Sequence, residues 1–462
     1  MSSVKTVPII AIATGTGNAG IGIIRISGSD EDISALYRKL FPGKDLRPRY
    51  AELLPIHDKN GEVLDRGIVL YFRAPFSYTG ESVLELQVHG GRTLLALLQQ
   101  ELLLEGRFVG LRPATPGEFT ERAFLNGKVD LVQAEAIADL IDANSRSAAR
   151  AAARSLKGDF SKAVNGLNES LINLRVEVEA ILDFPEEEID FISEYKSKEK
   201  LEAILTNLTN IINNARQGEV LRDGLRVALI GETNVGKSSL LNYLAGEEVA
   251  IVSDIAGTTR DKIQTDITLS GIPFHFVDTA GIRETTDSVE QIGIQKTREE
   301  ISKADIILQI KDASRGSDES DALLNYILNT VKKEAVPVIS VLNKIDLVDP
   351  LDINVDVSRG TVLKTSTLTG EGMPQLREKL IELAGVTDAP SVYMARERHI
   401  KNLKDVEAAL LRAKSYLESN NPQIELFAEE LRLSSEELGE ITGKFTSDDL
   451  LGKIFAGFCI GK

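Results

Sequence analysis

A β-type run, Leu225–Ile230, opens directly onto Gly231, Glu232, Thr233, Asn234, Val235, Gly236, Lys237 and Ser238. No other feature of the chain restricts its fold so tightly. The spacing G-x-x-x-x-G-K-S requires a strand that feeds a glycine-rich loop, and a helix that starts where the loop ends. In that arrangement backbone N–H groups and the helix N-terminus converge on one point, which suits the oxygens of a phosphate chain. Lys237 is expected to reach the β- and γ-phosphates of a nucleotide, and the Ser238 hydroxyl to take a Mg²⁺ position.

Three further motifs follow at the spacing such a site needs. Asp278, Thr279, Ala280 and Gly281 end a strand that begins at Phe274. Asp278 would hold Mg²⁺ through water, and the Gly281 N–H would sense the γ-phosphate. Asn343, Lys344, Ile345 and Asp346 end the run Val336–Leu342. A carboxylate at Asp346 can accept from two adjacent donors on guanine. Adenine presents an acceptor where guanine presents its ring N–H, so the base preference is for guanine. Ser366, Thr367 and Leu368, after the last strand, are placed to back the base. Between these motifs lies Gly257, Thr258, Thr259, Arg260 and Asp261. A threonine here, with Thr259 the preferred metal contact, can close over Mg²⁺ and the γ-phosphate as a switch. The nucleotide set therefore comprises Asn234 to Ser239, Ser253, Asp254, Ile255, Ala256 and Gly257 to Thr259, with the two later motifs.

The residue after Gly281 is Ile282, where Ras-type proteins carry the glutamine that orients the attacking water. A purely aliphatic sec-butyl side chain cannot do that, so another group must. Glu290, Asp287, Arg283 or a partner residue are the candidates. Arg260 and Arg283 could supply positive charge, or a monovalent cation could, with Asn234 placed to ligate it.

The rest of the 462-residue chain divides around this module. Alternating strands and helices between residues 222 and 384 predict a doubly wound, mostly parallel sheet. Residues 1–121 read as an α+β domain, with β runs at Val7–Ala13, Ile21–Ser27, Ile68–Phe72 and Val83–Val88 and a helix at Thr93–Glu105. Residues 122–221 and 385–462 carry helical periodicity at Leu131–Asp142, Ser147–Leu156, Phe160–Leu182, Ser197–Arg216, His399–Leu417, Ile424–Leu433 and Ser447–Phe458. The nucleotide module thus reads as an insertion into a helical domain. The alanines of 148–153 read as helix packing and His89 as a turn residue.

A net charge of −17 excludes a general nucleic-acid binder, though not a local basic patch. A single cysteine, Cys459, excludes an intrachain disulfide and points to a reducing cytoplasm. No apolar run is long enough for a membrane span.

These motifs, in this inserted order, resemble the MnmE (TrmE) family of tRNA-modification GTPases. The likeness extends through Gly20 to Gly28, Pro75 to Glu81, His89 to Gly91, Pro116 to Thr120, Arg122 to Lys128 and Gln133 to Ile137. It closes on the tail Phe458, Cys459, Ile460, Gly461 and Lys462. The resemblance implies a homodimer formed through an N-terminal domain that binds a tetrahydrofolate one-carbon donor (5-formyl- or methylene-tetrahydrofolate) at Arg25, Glu81, Lys128 and Lys462. It also implies G domains that dimerise with K⁺ held by Asn234, Ser253, Ile255 and Thr258, and a water oriented by Glu290. Lys237, Thr259, Gly281 and Glu290 would carry GTP hydrolysis to GDP, and Cys459 would join the modification chemistry. A flavin-binding partner, MnmG (GidA), would form a heterotetramer-type complex and share the work on C5 of the tRNA wobble uridine. Two positions depart from the family pattern: the turn Thr14 to Asn18, and Thr115 in place of arginine.

Overall fold

The computed structural model describes residues 7–15, 17–143, 145–183, 196–246, 264–278, 303–315, 336–349, 361–386, 392–419, 421–444, 448–459 and 461. The chain forms two compact units. The first takes Met1–Ala138, Leu156–Phe191 and Arg412–Lys462, and the second takes Asp139–Ser155 and Ile192–Leu411.

In the first unit, strands β1 (Ile9–Ile12), β2 (Ala19–Gly28), β3 (Glu52–His57), β4 (Val63–Phe72), β5 (Ser82–Gly90) and β6 (Arg112–Pro113) make one sheet in the order β3-β4-β5-β2-β1-β6. Helices α1 (Asp30–Leu40) and α2 (Arg92–Glu105) accompany it. Strand alternation divides the apolar residues between faces. Ile10, Ile24, Ile26, Leu84 and Leu86 join Ile33 and Leu36 of α1 and Leu95 and Leu98 of α2 in one core. Ile9 and Ala11 turn the other way and meet Ala114 and Phe119. Three of these elements go beyond the sequence expectation, α1, β3 and the short β6. Ser29 caps α1 by accepting from the Asp32 N–H at 3.1 Å, a local signal that was present in the sequence.

Helices α3 (Glu118–Leu125), α4 (Leu131–Asp142), α5 (Arg146–Leu156) and α6 (Asp159–Asp183) follow. Ala148, Ala151 and Ala152 of α5 are buried, as expected of a packing face. Helix α7 runs Ser197–Asp223, seven residues beyond the predicted end. Gly218 passes so close to the Tyr393 backbone that a Cβ would lie 1.9 Å from its carbonyl oxygen. The glycine serves close packing and does not end the helix.

The nucleotide module contributes β7 (Leu225–Ile230), α8 (Lys237–Gly246), β8 (Gln264–Leu269), β9 (Ile272–Asp278), β10 (Ile306–Asp312), β11 (Val338–Asn343), β12 (Thr361–Lys364) and α9 (Met373–Ala384). The sheet order is β12-β11-β10-β7-β9-β8. Every pairing is parallel except β8 with β9. Val227, Leu229, Leu308, Ile310, Ile339 and Val341 are all buried in its core.

The final helices are α10 (Glu397–Glu418), α11 (Ile424–Thr442) and α12 (Asp448–Ala456). Helix α11 passes well beyond the predicted Leu433. Its buried Ser434 donates to the Glu430 carbonyl at 2.7 Å, so this hydroxyl is satisfied inside the helix and the helix continues through it. Among the described residues no helix is long and apolar enough to cross a membrane.

Candidate functional site

The strand–loop–helix geometry is present as the motif required. Strand β7 delivers the chain to Gly231, and α8 begins at Lys237. Glycine is obligatory at two points. A Cβ on Gly231 would stand 2.4 Å from the Ile310 carbonyl oxygen. Gly236 has φ of +101°, and its Cβ would stand 2.2 Å from the Asn343 Nδ2. Asn234 also takes the left-handed conformation, at φ 67°, which asparagine tolerates better than most residues. The Lys237 ammonium is held over the loop by the carbonyls of Gly231 at 2.6 Å and Glu232 at 2.9 Å. It lies 3.9 Å from the Asp278 carboxylate at the end of β9. Val235 is buried beneath the loop, while Ser238 and Ser239 face solvent on the first turn of α8.

The base-recognition loop is bolted to this phosphate loop. Asn343 is fully buried, and its Nδ2 donates to the Val235 carbonyl at 2.9 Å. The Lys344 ammonium donates to the Asn234 carbonyl at 2.6 Å and to Asp312 at 2.7 Å. Burial opposes charge on Asp312, but hydrogen bonds from Lys344 and Ser314 outweigh it and hold the carboxyl below its usual range. Ser366 donates to the Asp346 carboxylate, which joins the last two motifs. The Ile345 N–H reaches the Thr365 carbonyl at 3.2 Å. Thr367 is half-buried beside Leu368, whose side chain is 83% exposed. Asp312 had not been anticipated; its only sequence signal is its place at the end of a central strand.

Several expected nucleotide and cation residues lie outside the described residues: Ser253, Asp254, Ile255, Ala256, Gly257, Thr258, Thr259, Thr279, Ala280, Gly281 and Glu290, with Arg260, Asp287 and Arg283. Lys462 lies outside them as well.

A second cluster sits on the β-sheet of the first unit. Ala11, Arg25 and Glu85 are cross-strand neighbours on β1, β2 and β5. Register alone therefore brings Arg25 Nε to within 2.7 Å of the Glu85 carboxylate. The Arg25 guanidinium also lies over the rings of Tyr78 and Phe119. Two residues along β2, Ser27 donates to Glu81 at 2.8 Å. Arg122 donates to the same Glu81 oxygen at 2.8 Å and to Glu118 at 2.8 Å. Burial pushes the Glu118 carboxyl up, but hydrogen bonds from Arg112, Thr115 and Arg122 outweigh it and hold it at about 2. Lys128 donates to the Pro75 carbonyl at 3.0 Å, and its stem lies beside Gly80. The tail reaches this cluster too. Arg25 Nη1 donates to the Gly461 carbonyl at 3.4 Å, and the Gly117 N–H to the carbonyl of exposed Cys459 at 3.4 Å. Sequence reasoning had not singled out Glu85, Arg112 or Arg122. His89 belongs to β5, not to a turn, and its ring meets Asp65 at 2.8 Å.

A parallel-sheet module with this phosphate loop, an invading base loop and a carboxylate set for guanine is a GTPase. The profile described as "GTP-binding protein TrmE N-terminus" matches residues 8–128, and "MnmE helical domain" matches residues 131–459. The tRNA modification GTPase MnmE of Bordetella petrii is 51% identical over 464 residues, covering 100% of both chains. Those of Acidovorax sp. (strain JS42) and Paraburkholderia xenovorans are 49% and 50% identical, each covering 98% of both chains. The chain belongs to the MnmE family of tRNA modification GTPases.

Proposed function

We propose that this GTPase is a homodimer whose K⁺-stimulated hydrolysis drives modification of C5 of the tRNA wobble uridine, adding a carboxymethylaminomethyl-type group together with a flavin-binding partner of the MnmG (GidA) kind. The reading divides the chain into a folate-binding and dimerisation domain (1–121), a helical domain in two parts (122–221 and 385–462) and a G domain inserted between them (222–384). The observation that carries it is the polar cluster on the sheet of the first unit, where Arg25 holds Glu85 and the Gly461 carbonyl, Ser27 on the same strand and Arg122 hold Glu81, and Lys128 lies beside Gly80.

The donor set fits a reduced folate. A pterin edge needs paired donors and acceptors, which guanidinium and carboxylate supply, and flat rings favour the partly exposed aromatic and cationic surface of Tyr78 and Arg25. Arg25, Glu81, Lys128 and Lys462 would hold it, and it would supply a one-carbon unit. Cys459, exposed on the tail, would stand near that chemistry.

At the nucleotide, Lys237 and the loop N–H groups neutralise charge that grows on the phosphates as the γ-phosphoryl group leaves. Ser238 and Thr259 would hold Mg²⁺, which offsets phosphate charge. Asn234, Ser253, Ile255 and Thr258 would hold K⁺, which would replace an arginine finger. The left-handed turn at Asn234 supports that role by turning the loop sharply there. Glu290 would orient the water, since Ile282 cannot.

Hydrolysis by the full-length protein should rise steeply in K⁺ compared with Na⁺ at equal ionic strength. With partner and tRNA present, Glu290→Ala should lose both hydrolysis and uridine modification. Full modification by that variant would overturn the coupling, and indifference to K⁺ would return the charge role to Arg260 or Arg283.

A further inference from the structure

Helix α5 carries a feature that neither the nucleotide site nor the folate cluster uses. From Ala143 to Gly158 the sequence holds Arg146, Arg150, Arg154 and Lys157 and no carboxylate, in a chain with 70 Asp and Glu. The three arginines recur every fourth residue, so they rise along one stripe of the helix at steps of about 6 Å. The opposite face does the packing: Ala148, Ala151, Ala152 and Ser155 are buried. The Ala151 carbonyl accepts from the Met394 N–H at 3.4 Å, and Ser155 donates to the Met394 carbonyl at 3.0 Å. The arginines are therefore not what docks the helix.

Arg146 and Arg150 are exposed and Arg154 is half-buried. None of the three guanidinium groups makes a hydrogen bond or ion pair with another described residue. The Nε of Arg154 is shielded from solvent without a hydrogen-bond partner. In a protein with a net charge of −17, cations ordinarily find carboxylates. A stripe of guanidinium groups that no described carboxylate pairs with suits an external anion with repeated charge. Guanidinium forks match phosphate oxygens in pairs, and a regular row matches a phosphodiester backbone better than a single anion.

We infer that the Arg146–Arg150–Arg154 stripe of α5 grips the sugar-phosphate backbone of the tRNA, without reading its sequence. This deepens the proposed function by assigning part of the RNA surface to the GTPase chain itself. The stripe also reconciles an acidic chain with an RNA substrate, because the positive potential is concentrated in one place.

The test is tRNA binding by the full-length protein, followed by fluorescence anisotropy from 50 to 200 mM salt. Each phosphate contact contributes about 0.7 to 0.9 to the slope of log affinity against log salt. The triple variant R146Q/R150Q/R154Q should therefore lower the slope by about 2 to 3 and weaken binding about 10- to 100-fold at low salt. The double variant R146Q/R150Q, altered only at exposed positions, should lower it by about 1.5 to 2. Basal GTP hydrolysis should not change, and triple replacement by lysine should restore the slope. An unchanged slope in both glutamine variants overturns the inference, as does an affinity loss that lysine does not repair. Wild-type protein that retains no tRNA at 50 mM salt would defeat the wider reading that this chain itself grips RNA.

Discussion

The Asn343 side-chain amide donates to the Val235 carbonyl at 2.9 Å, tying the base loop to the phosphate loop through one buried contact. The same amide nitrogen is the atom that a Cβ on Gly236 would strike. Asn343→Ala leaves a loop carbonyl without its donor, at a cost of about 1–3 kcal/mol. Guanine-nucleotide affinity should fall about 10- to 100-fold, measured by titration of a fluorescent GDP analogue. Gly236→Ala should lose binding altogether, because the clash adds to the strain of its positive φ.

Asp346 is positioned by Ser366 and remains exposed at the loop rim. Asp346→Asn replaces an acceptor by a donor on that edge. GDP binding should drop by at least about 100-fold, while xanthosine diphosphate, which presents an acceptor there, should gain. Competition between the two nucleotides reads the switch directly. Unaltered base preference would remove Asp346 from the recognition role.

Glu118 gives the first unit a defined acid sensitivity. Burial opposes its charge, but hydrogen bonds from Arg112, Thr115 and Arg122 outweigh that and hold its carboxyl down at about 2, below the ordinary glutamate value of 4.5. The stabilisation is therefore complete above about 4.5 and is lost as pH falls from there towards 2. It amounts to roughly 3 kcal/mol at most. Acid unfolding followed by circular dichroism should be steep in that window, and Glu118→Gln should flatten it.

Asp139 is buried and accepts from Arg222 at 3.0 Å and Arg396 at 2.8 Å. Asp139→Asn removes the charge that both guanidinium groups face. A loss of about 2–4 kcal/mol is expected, read as a lower midpoint in urea for the transition of the second unit. Hydrolysis in native conditions should change little.

The nucleotide module was legible because its chemistry is local in sequence. A strand, a glycine loop and a lysine at fixed spacing leave one conformation, and Leu225–Ile230 and Lys237 stand where the pattern put them. Helix lengths were less legible. The helices run on past Arg216 and Leu433, through Gly218 packed against a neighbouring backbone and Ser434 satisfied by an intrahelical acceptor. The Arg25–Glu85 pair depends on strand register over 60 residues, and Arg122 joins Glu81 across 41. No single stretch of sequence records such a meeting. The resemblance supplied Arg25 and Glu81, while Glu85, which holds Arg25, and Arg112, which holds Glu118, had no local mark.

The Arg25 guanidinium and the Gly461 carbonyl are separated by 436 residues. The first unit is threaded from three stretches of chain, with the second unit encoded largely between them. During synthesis the early sheet emerges long before the segment that closes over Arg25 exists. The intervening module must therefore reach its own shape while its host is still unfinished, and a ribosome that stalls late would leave a protein able to take up nucleotide but lacking a completed sheet-side pocket.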